Sequence, residues 1–354
     1  MCSSVISRYQ GLHTNYSFTK FSTNTDKTST FVNPKVALLK MKDLSTLTVP
    51  ELEDFFNSFD HVLTDIDGVV WNLLHGIPGA NHALKSLENL NKQIIFISNN
   101  TTRSADALET RLKNEGFDLQ TINHVSPAPA MIDYLQKQNF TKTNKRIFVI
   151  GMTPLRQALI EAGFKLAENG PDRVKESVAE YAALCIAEDD SVGAVIADID
   201  INLNSVNMQK ALTFLLRKDV LFLSGAPDMK YPLDKERFLI GPGAFVTILE
   251  LTSGRKPISM AKPNTNLHDF VAEKYKIDDP SRVLFVGDTV LEDMAFAANC
   301  GYKKLLVFSG LSNRSCVEEW TFPEEYKPDF YAESLKSVHE AVLRVFGRKD
   351  SSVL

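Results

Sequence analysis

The stretch Leu63-Thr64-Asp65-Ile66-Asp67-Gly68-Val69-Val70-Trp71 decides the fold that this chain is expected to adopt. The apolar residues before Asp65 predict a buried strand, and the glycine after Asp67 predicts that the strand ends in a tight turn. Residues two apart in a strand point to the same side, so the two carboxylates can face one small volume. They then need a cation or a proton between them. The pair predicts a metal site, a nucleophile with an acid/base partner, or both, although a turn capped by Asp shows the same pattern.

A second apolar strand, predicted over 93–97, is followed by hydroxyl and amide side chains at Ser98, Asn99 and Asn100. Such groups donate hydrogen bonds to a phosphoryl oxygen without adding charge. Ser104 can cap the next helix, whose amino terminus would then point at the same place. Taken alone, the segment is equally well a polar turn before an N-capped helix.

Two further strand ends carry charge. Lys262 follows the apolar residues 257–260, where the larger sheet is expected to resume, although a single lysine is more often a solvated surface residue. Asp288 ends the strand predicted over 282–286, and Asp293 falls about one helical turn later. Carboxylate oxygens are the ligands that Mg²⁺ prefers. Because ligands bind beyond the carboxyl ends of parallel strands, the four strand ends together predict one site.

The order of these segments resembles the haloacid dehalogenase superfamily of phosphatases, over about 44–346. More narrowly, the chain is similar to the branch that contains phosphoglycolate phosphatase, pyridoxal phosphatase and the 4-nitrophenyl phosphatases. The stretches that carry this likeness are DGVVW at 67–71, IPGA at 77–80, SNNTTRS at 98–104, SGRKP at 253–257, AKPN at 261–264 and GDxxxxD at 287–293.

The resemblance implies hydrolysis of small phosphorylated metabolites, phosphoglycolate-like or 4-nitrophenyl phosphate, through an aspartyl-phosphate. Asp65 is the implied nucleophile, Asp67 the implied acid and base, and Lys262 the third implied catalytic residue. The implied ligands of one Mg²⁺ are Asp65, the Asp67 backbone carbonyl, Asp288 and Asp293. The implied substrate-binding residues are Gly68, Ser98, Asn99, Asn100 and Asn202.

Three places depart from the family pattern. The family shows Arg-Leu-Asp-Thr before its last aspartate, whereas this chain has Thr-Val-Leu-Glu at 289–292. Leu291 therefore replaces a supporting carboxylate. Asn202 stands where relatives place a histidine that reaches the substrate, and Ser224–Asp228 follows the usual Thr-Asn-x-Asp only loosely. These changes lie at positions that determine substrate specificity in the family, so the resemblance identifies the superfamily and the branch but no single substrate.

Strands that alternate with helices predict an α/β fold, with a Rossmann-like doubly wound parallel sheet core and an inserted α/β cap domain. The candidate catalytic segments lie before about 128 and after about 256, with a separate alternation between them. The predicted parts are an extension at 1–43, a catalytic core at 44–140 and 255–347, a cap at 141–254 and a tail at 348–354.

Composition argues against several other classes of protein. A net charge of −5 gives no basis for nucleic-acid binding, and no apolar window approaches the 18 residues of a membrane span. The four cysteines lack paired spacing, which indicates free thiols in a reducing compartment. Residues 1–40, rich in Ser and Thr with one acid, predict a disordered extension. The expected location is cytoplasmic, with a mitochondrial transit peptide as the alternative.

Other functions stay open at this point. A phosphomutase or a protein phosphatase would use the same pair of aspartates. A weakly catalytic or non-catalytic relative that binds a phosphorylated ligand is motivated by Leu291 and the altered cap loops. Capped relatives often pair through the cap, so a homodimer is expected.

Overall fold

The computed structural model describes residues 41–72, 75–186, 189–232 and 237–347. Most of the extension predicted for 1–43, with its alternative as a transit peptide, and all of the tail predicted for 348–354 lie outside the described residues. Among the helices of these ranges, none combines the length and apolar character that a bilayer crossing requires.

A seven-stranded parallel sheet forms the larger layer of the molecule. Its strands lie side by side in the order β1 (Lys42–Asp43), β13 (Phe330–Ala332), β12 (Lys303–Val307), β11 (Val283–Gly287), β2 (His61–Thr64), β3 (Gln93–Ile97) and β4 (Asn123–Val125). Thr64 at the end of β2 pairs with Val286 near the end of β11. Because the two strands are parallel neighbours, the loops that follow them leave the sheet at the same edge.

Side chains of the central strands alternate between two apolar layers. Val62 belongs to the buried cluster on one face, and Leu63 belongs to the cluster on the other. The first face is covered by α1 (Val49–Asn57), α2 (Ala80–Asn89), α3 (Ala105–Asn114) and α12 (Leu335–Phe346). The second face is covered by α4 (Pro127–Lys137), α9 (Asn266–Tyr275) and α10 (Ala295–Cys300). Burial on both faces is why these strands are continuous apolar runs, and it confirms the predicted doubly wound sheet.

A second parallel sheet of four strands is built mainly from the predicted insertion. Its order is β10 (Ile258–Ser259), β7 (Leu221–Ser224), β6 (Val192–Ala197) and β5 (Arg146–Ile150). The helices of this part of the chain are α5 (Thr153–Glu161), α6 (Val178–Ile186), α7 (Ser205–Leu215) and α8 (Pro242–Ser253). After β7, the strands β8 (Lys230–Pro232) and β9 (Phe238–Ile240) pair antiparallel as a separate ribbon. The short helix α11 (Ser315–Glu318) lies between β12 and β13.

The structure differs from the predicted organisation in two details. Lys42, placed in the extension, pairs with Phe330 at the edge of the larger sheet. The prediction that the larger sheet resumes at 257 is wrong, because Ile258 pairs with Leu223 in the smaller sheet. Lys262 therefore approaches the edge of the larger sheet from a strand of the smaller one. The other domain limits stay a prediction.

Candidate active site

Three buried carboxylates meet beyond the ends of β2 and β11. Asp65 follows β2, while Asp288 and Asp293 follow β11. One carboxylate oxygen of each lies within 4.8 Å of the other two. These side chains therefore form a cluster, here called the acidic cluster, that can hold a cation.

Lys262 is the counter-charge that the protein itself supplies to the acidic cluster. Its Nζ lies 2.5 Å from Asp65 Oδ1 and 2.8 Å from Asp293 Oδ1, and the residue is only 2% exposed. Burial alone would lower the pKa of Lys262, but Asp293 and Asp65 outweigh it and raise the pKa above its ordinary value. The ammonium group therefore stays charged and holds Asp65 in one orientation.

The charges of the acidic cluster are not balanced by Lys262 alone. Burial raises the pKa of Asp65 well above its ordinary value, and the nearby ammonium only partly offsets this. Burial, followed by the charge of Asp293, raises the pKa of Asp288 to about 7. With three carboxylates against one ammonium, the ionised cluster has a surplus of negative charge equal to that of two carboxylates. A divalent cation fits this surplus and these hard oxygen donors.

Asp293 is held by the loop that carries it. Its Oδ2 accepts hydrogen bonds from the backbone N–H groups of Asp288 and Thr289 at 3.0 and 3.1 Å, and from Thr289 Oγ1 at 2.9 Å. Its Oδ1 accepts from Lys262 Nζ. Because both oxygens already have protein partners, Asp293 is better placed to orient Asp288 and Lys262 than to be a metal's main ligand. Leu291, the departure from the family pattern, is 53% exposed and lies outside the acidic cluster.

Glycines make the close approach of Asp288 possible. A Cβ at Gly68 would lie 2.4 Å from Asp288 Oδ2, and one at Gly310 would lie 2.0 Å from the same atom. Gly68 also has a φ of +96°, which side chains of L-residues rarely allow. The glycine after Asp67 is thus required by backbone conformation and by space for Asp288.

Asp67 is exposed beside the acidic cluster and is oriented by Trp71. The indole Nε1 of Trp71 donates a hydrogen bond to Asp67 Oδ1 at 2.8 Å, and the tryptophan itself is fully buried. The backbone N–H of Gly68 closes the turn by donating to Trp71 O at 2.7 Å. The sequence did not predict this contact, because a four-residue separation inside an irregular turn gives no signal for a hydrogen bond.

The three polar residues after β3 have different partners. Ser98 is buried, and its Oγ accepts a hydrogen bond from the Asn100 N–H at 3.1 Å. Asn99 Nδ2 donates to Lys262 O at 3.1 Å, while the Lys262 N–H donates to Asn99 Oδ1 at 2.9 Å. The Asn99 side chain therefore positions Lys262, a role that the sequence did not indicate. Asn100 Oδ1 accepts from Thr102 within its own turn.

The structure does not bring Asn202 to the acidic cluster. This exposed residue lies in a turn after β6, where its N–H donates to Asp200 Oδ1 at 2.9 Å. It lines a separate cavity of about 300 Å³ together with Arg156 and Asn207. This position does not support the predicted contact between Asn202 and substrate, because the turn places Asn202 in the same cavity as Arg156 of α5.

Residues of the smaller sheet close over the candidate site. Asp198, which follows β6 and is buried, accepts a hydrogen bond from Thr101 Oγ1 at 2.9 Å. Burial raises the pKa of Asp198 to about 7. Asp228 interacts with Glu292, whose pKa is raised well above its ordinary value, first by burial and then by Asp228. No sequence motif predicted these contacts between the two parts of the molecule.

A cleft of about 440 Å³, here called the Asp67 cleft, opens beside Asp67 and Ser98. It extends between the loop after β3 and helix α5 of the insertion, and Asn100 also lines it. The acidic cluster and the Asp67 cleft together provide a nucleophile, a cation site, an exposed acid and room for a ligand. This arrangement suits transfer of a phosphoryl group to Asp65.

Comparisons with known proteins agree with this geometry. A family model described as haloacid dehalogenase-like hydrolase matches residues 62–165, and one described as HAD-hydrolase-like matches residues 259–338. The chain is 29% identical to a 4-nitrophenylphosphatase of Schizosaccharomyces pombe, over 82% of this chain and 96% of that protein. It is also 29% identical to the chloroplastic phosphoglycolate phosphatase 1A of Arabidopsis thaliana, over 82% and 80% of the two chains.

The fold also resembles that of a solved phosphatase structure. The solved structure of a p-nitrophenyl phosphatase from Archaeoglobus fulgidus superposes with a TM-score of 0.68 and 26% identity, over 80% of this chain and 99% of that one. The two matched segments contain Asp65, Lys262, Asp288 and Asp293, the residues that the fold brings together. This chain belongs to the haloacid dehalogenase-like hydrolases.

Proposed function

We propose that this chain is a Mg²⁺-dependent phosphatase that hydrolyses small phosphomonoesters through an aspartyl-phosphate on Asp65. The observation that carries the proposal is the convergence of Asp65, Lys262, Asp288 and Asp293 in one buried cluster, with Asp67 exposed beside it. Relatives named as phosphatases cover 82% of the chain, which supports the same reaction class.

The acidic cluster fits Mg²⁺, which prefers carboxylate oxygens and keeps some of its waters. Asp65, Asp288 and the Asp67 backbone carbonyl would hold the ion, and Asp293 would orient them. When bound, it would screen the repulsion between the Asp65 carboxylate and the phosphate dianion of the substrate.

In the first step, a carboxylate oxygen of Asp65 forms a bond to phosphorus while the bond from phosphorus to the ester oxygen breaks. Asp67 gives a proton to the departing oxygen, so the alcohol leaves in its neutral form. Lys262 contacts Asp65, and Ser98 follows the neighbouring strand β3; both would stabilise the charge on the remaining phosphoryl oxygens.

In the second step, Asp67 takes a proton from a water molecule, which attacks phosphorus and releases inorganic phosphate and free Asp65. The hydrogen bond from Trp71 holds the Asp67 carboxyl in place through both steps. The exposure of Asp67, in contrast to the burial of Asp65, allows it to exchange protons with a leaving group and with water.

Phosphate release from 4-nitrophenyl phosphate by the full-length protein tests the proposal. Activity should require Mg²⁺ and be lost on chelation, and Asp65→Asn should lower kcat at least about 10³-fold because the nucleophile is gone. Asp54→Asn, an exposed residue of α1, serves as the matched control. Equal turnover by the parent protein and Asp65→Asn would instead favour a relative that only binds phosphorylated ligands.

We also propose that the protein acts in the cytoplasm and forms a homodimer through the insertion. Exposed apolar side chains support the dimer, and they are Phe238, Leu239 and Ile240 of β9 with Ile248 and Leu251 of α8. Sedimentation should show a dimer for the parent protein and a monomer for Leu239→Glu. A monomeric parent at micromolar concentration would contradict this part of the proposal.

A further inference from the structure

The Asp67 cleft has room for an alcohol larger than glycolate. Its volume of about 440 Å³ lies within the range of roughly 300–1,000 Å³ that is typical of pockets for drug-sized ligands. A substrate with a two-carbon leaving group would leave most of this space to water. The size of the cleft therefore bears on the substrate class, given the phosphatase function proposed above.

The position of Asp67 determines where the leaving group lies. A general acid must be within hydrogen-bond distance of the oxygen that it protonates. The three proposed catalytic residues are Asp65, Asp67 and Lys262, and of these Asp67 lines the cleft. Ser98, a proposed substrate-binding residue, also lines it. An ester whose phosphoryl group is at Asp65 would therefore extend its alcohol into the Asp67 cleft.

The walls of the Asp67 cleft are largely apolar. Leu108 of α3 and Val125 of β4 line one side of it, while Pro154, Leu155 and Ala158 of α5 line the other. Burying a ring or a hydrocarbon chain against such walls is favourable, and a short polar alcohol gains little there.

The charges around the Asp67 cleft disfavour an acidic leaving group. Among the described residues that line it, Arg103 is the only side chain that is cationic at neutral pH, because burial lowers the pKa of His124. Two carboxylates line the same cleft, at Asp106 and Glu161, besides Asp67, which carries the proton for the leaving group. Acids therefore outnumber cations, and a carboxylate on the leaving group would meet net repulsion.

Further acids lie on the insertion side of Asp67. Tyr231 of β8 is within electrostatic range of Asp67, Asp198, Asp228 and Glu292 together, which places these four acids around one tyrosine. Asp228 and Glu292 interact with each other, and each comes from a place where this chain departs from the family pattern. Burial raises the pKa values of Asp198 and Glu292, so of the three acids besides Asp67 it is Asp228 that adds to the negative potential that a leaving-group carboxylate would experience.

From these observations we infer that the substrate is a phosphomonoester of a bulky alcohol that has an apolar body and no acidic group. Such an alcohol would be bound in the Asp67 cleft. Phosphoglycolate, the substrate named for one relative, would be a poor substrate of this chain.

Three alkyl phosphates of similar leaving-group chemistry test the inference on the unmodified, full-length protein with Mg²⁺. Ethyl phosphate is the small reference, 2-phenylethyl phosphate adds an apolar ring, and phosphoglycolate adds a carboxylate. We expect kcat/KM for 2-phenylethyl phosphate to exceed that for ethyl phosphate at least about tenfold. We expect kcat/KM for phosphoglycolate to be roughly threefold or more below that for ethyl phosphate.

Two substitutions on one helix locate the effect. Ala158→Phe fills the cleft and should reduce the preference for 2-phenylethyl phosphate over ethyl phosphate to about onefold, since the ring no longer fits. Ile160→Phe is the matched control, because Ile160 lies on the same helix, is 52% exposed and does not line the cleft. It should keep the preference of the parent protein.

A charge change tests the second half of the inference. The double variant Asp106→Asn/Glu161→Gln should raise kcat/KM for phosphoglycolate relative to ethyl phosphate about threefold, and less at high salt.

Two outcomes would overturn the inference while leaving the phosphatase function intact. They are faster hydrolysis of phosphoglycolate than of either other ester, or an equal loss on all three esters in Ala158→Phe. Because the three-ester comparison uses the unmodified protein, a variant that fails to fold does not decide the matter. If no ester releases phosphate and Asp65→Asn matches the parent protein, the proposed function falls as well.

Discussion

The indole Nε1 of Trp71 donates a 2.8 Å hydrogen bond to Asp67 Oδ1, and this is the contact that orients the proposed general acid. Trp71 is fully buried, so its ring cannot move aside without disturbing the surrounding apolar cluster. A buried donor that faces an exposed carboxylate restricts the carboxylate to a few orientations. The orientation of Asp67 is therefore controlled from beneath the surface.

Trp71→Phe should lower kcat about tenfold with a smaller change in KM, because the donor is lost while an aromatic ring stays in the core. Trp320→Phe is a suitable control, because Trp320 Nε1 has no hydrogen-bond partner among the described residues. An equal loss of kcat in both variants would mean that the hydrogen bond to Asp67 has no special role.

Gly68→Ala should weaken activation by Mg²⁺ at least about tenfold, because its Cβ would lie 2.4 Å from Asp288 Oδ2 and displace that carboxylate. Gly163→Ala provides the same kind of backbone strain without the clash, since Gly163 has a φ of +87° and no atom within 4 Å of a Cβ. The control should cost stability of about 1 kcal/mol and leave the Mg²⁺ dependence unchanged. Activity titrated with Mg²⁺ distinguishes the two, and identical curves for both variants would contradict the explanation.

Apparent affinity for Mg²⁺ should rise with pH up to about 7 and then level off. The pKa of Asp288 is raised to about 7 without the ion, so the ion must displace a proton below that pH. Each pH unit below 7 should then reduce affinity up to about tenfold for one proton displaced. Calorimetric titrations at pH 6 and pH 8, in buffers of different ionisation enthalpy, would measure both affinity and proton release. Equal affinities at the two pH values would rule this linkage out.

Asp198→Asn should stabilise the protein at pH 8 and have little effect at pH 4. The pKa of Asp198 rises from 3.8 to about 7 on folding, so the folded state binds the proton more tightly. Its contribution to stability therefore falls as pH rises from about 4 to 7 and stays low above that. At about 1.4 kcal/mol per unit of pKa, the substitution can recover at most about 4 kcal/mol.

Thermal unfolding of the parent protein and of Asp198→Asn between pH 4 and pH 8 checks this expectation. Asparagine can still accept the hydrogen bond from Thr101 Oγ1, so the contact between the two sheets is kept. Asp54→Asn, an exposed aspartate, should show no such pH dependence. The difference in melting temperature between Asp198→Asn and the parent should increase with pH. If it does not, this carboxyl does not titrate as described.

Regular elements were predictable where the hydrophobic pattern was clear. The strand Gln93–Ile97 has the predicted limits, because it is a short apolar run that ends at polar side chains. The ribbon formed by β8 and β9 was not predicted. All three residues of β9 are exposed, so the alternation that marks a half-buried strand is missing.

Long-range partners were not predictable from local patterns. The contact of Asn99 with substrate stays a prediction, but no local pattern predicted that its side chain binds the Lys262 backbone, 163 positions away. Asn202 was expected at the site and lies elsewhere, because a turn around Asp200 redirects it. Lys262 was expected at the end of a strand of the larger sheet and arrives from the smaller one.

By itself, the sequence determined the fold class of this protein: apolar runs that end in Asp65 and Asp288 specify a parallel sheet with an acidic edge. Local chemistry suffices for that, because strand periodicity and turn residues act over a few positions. Only the tertiary structure decided which side chain orients which, and how large a leaving group fits beside Asp67. Those properties depend on distances between segments that are far apart in the chain, which no local pattern encodes.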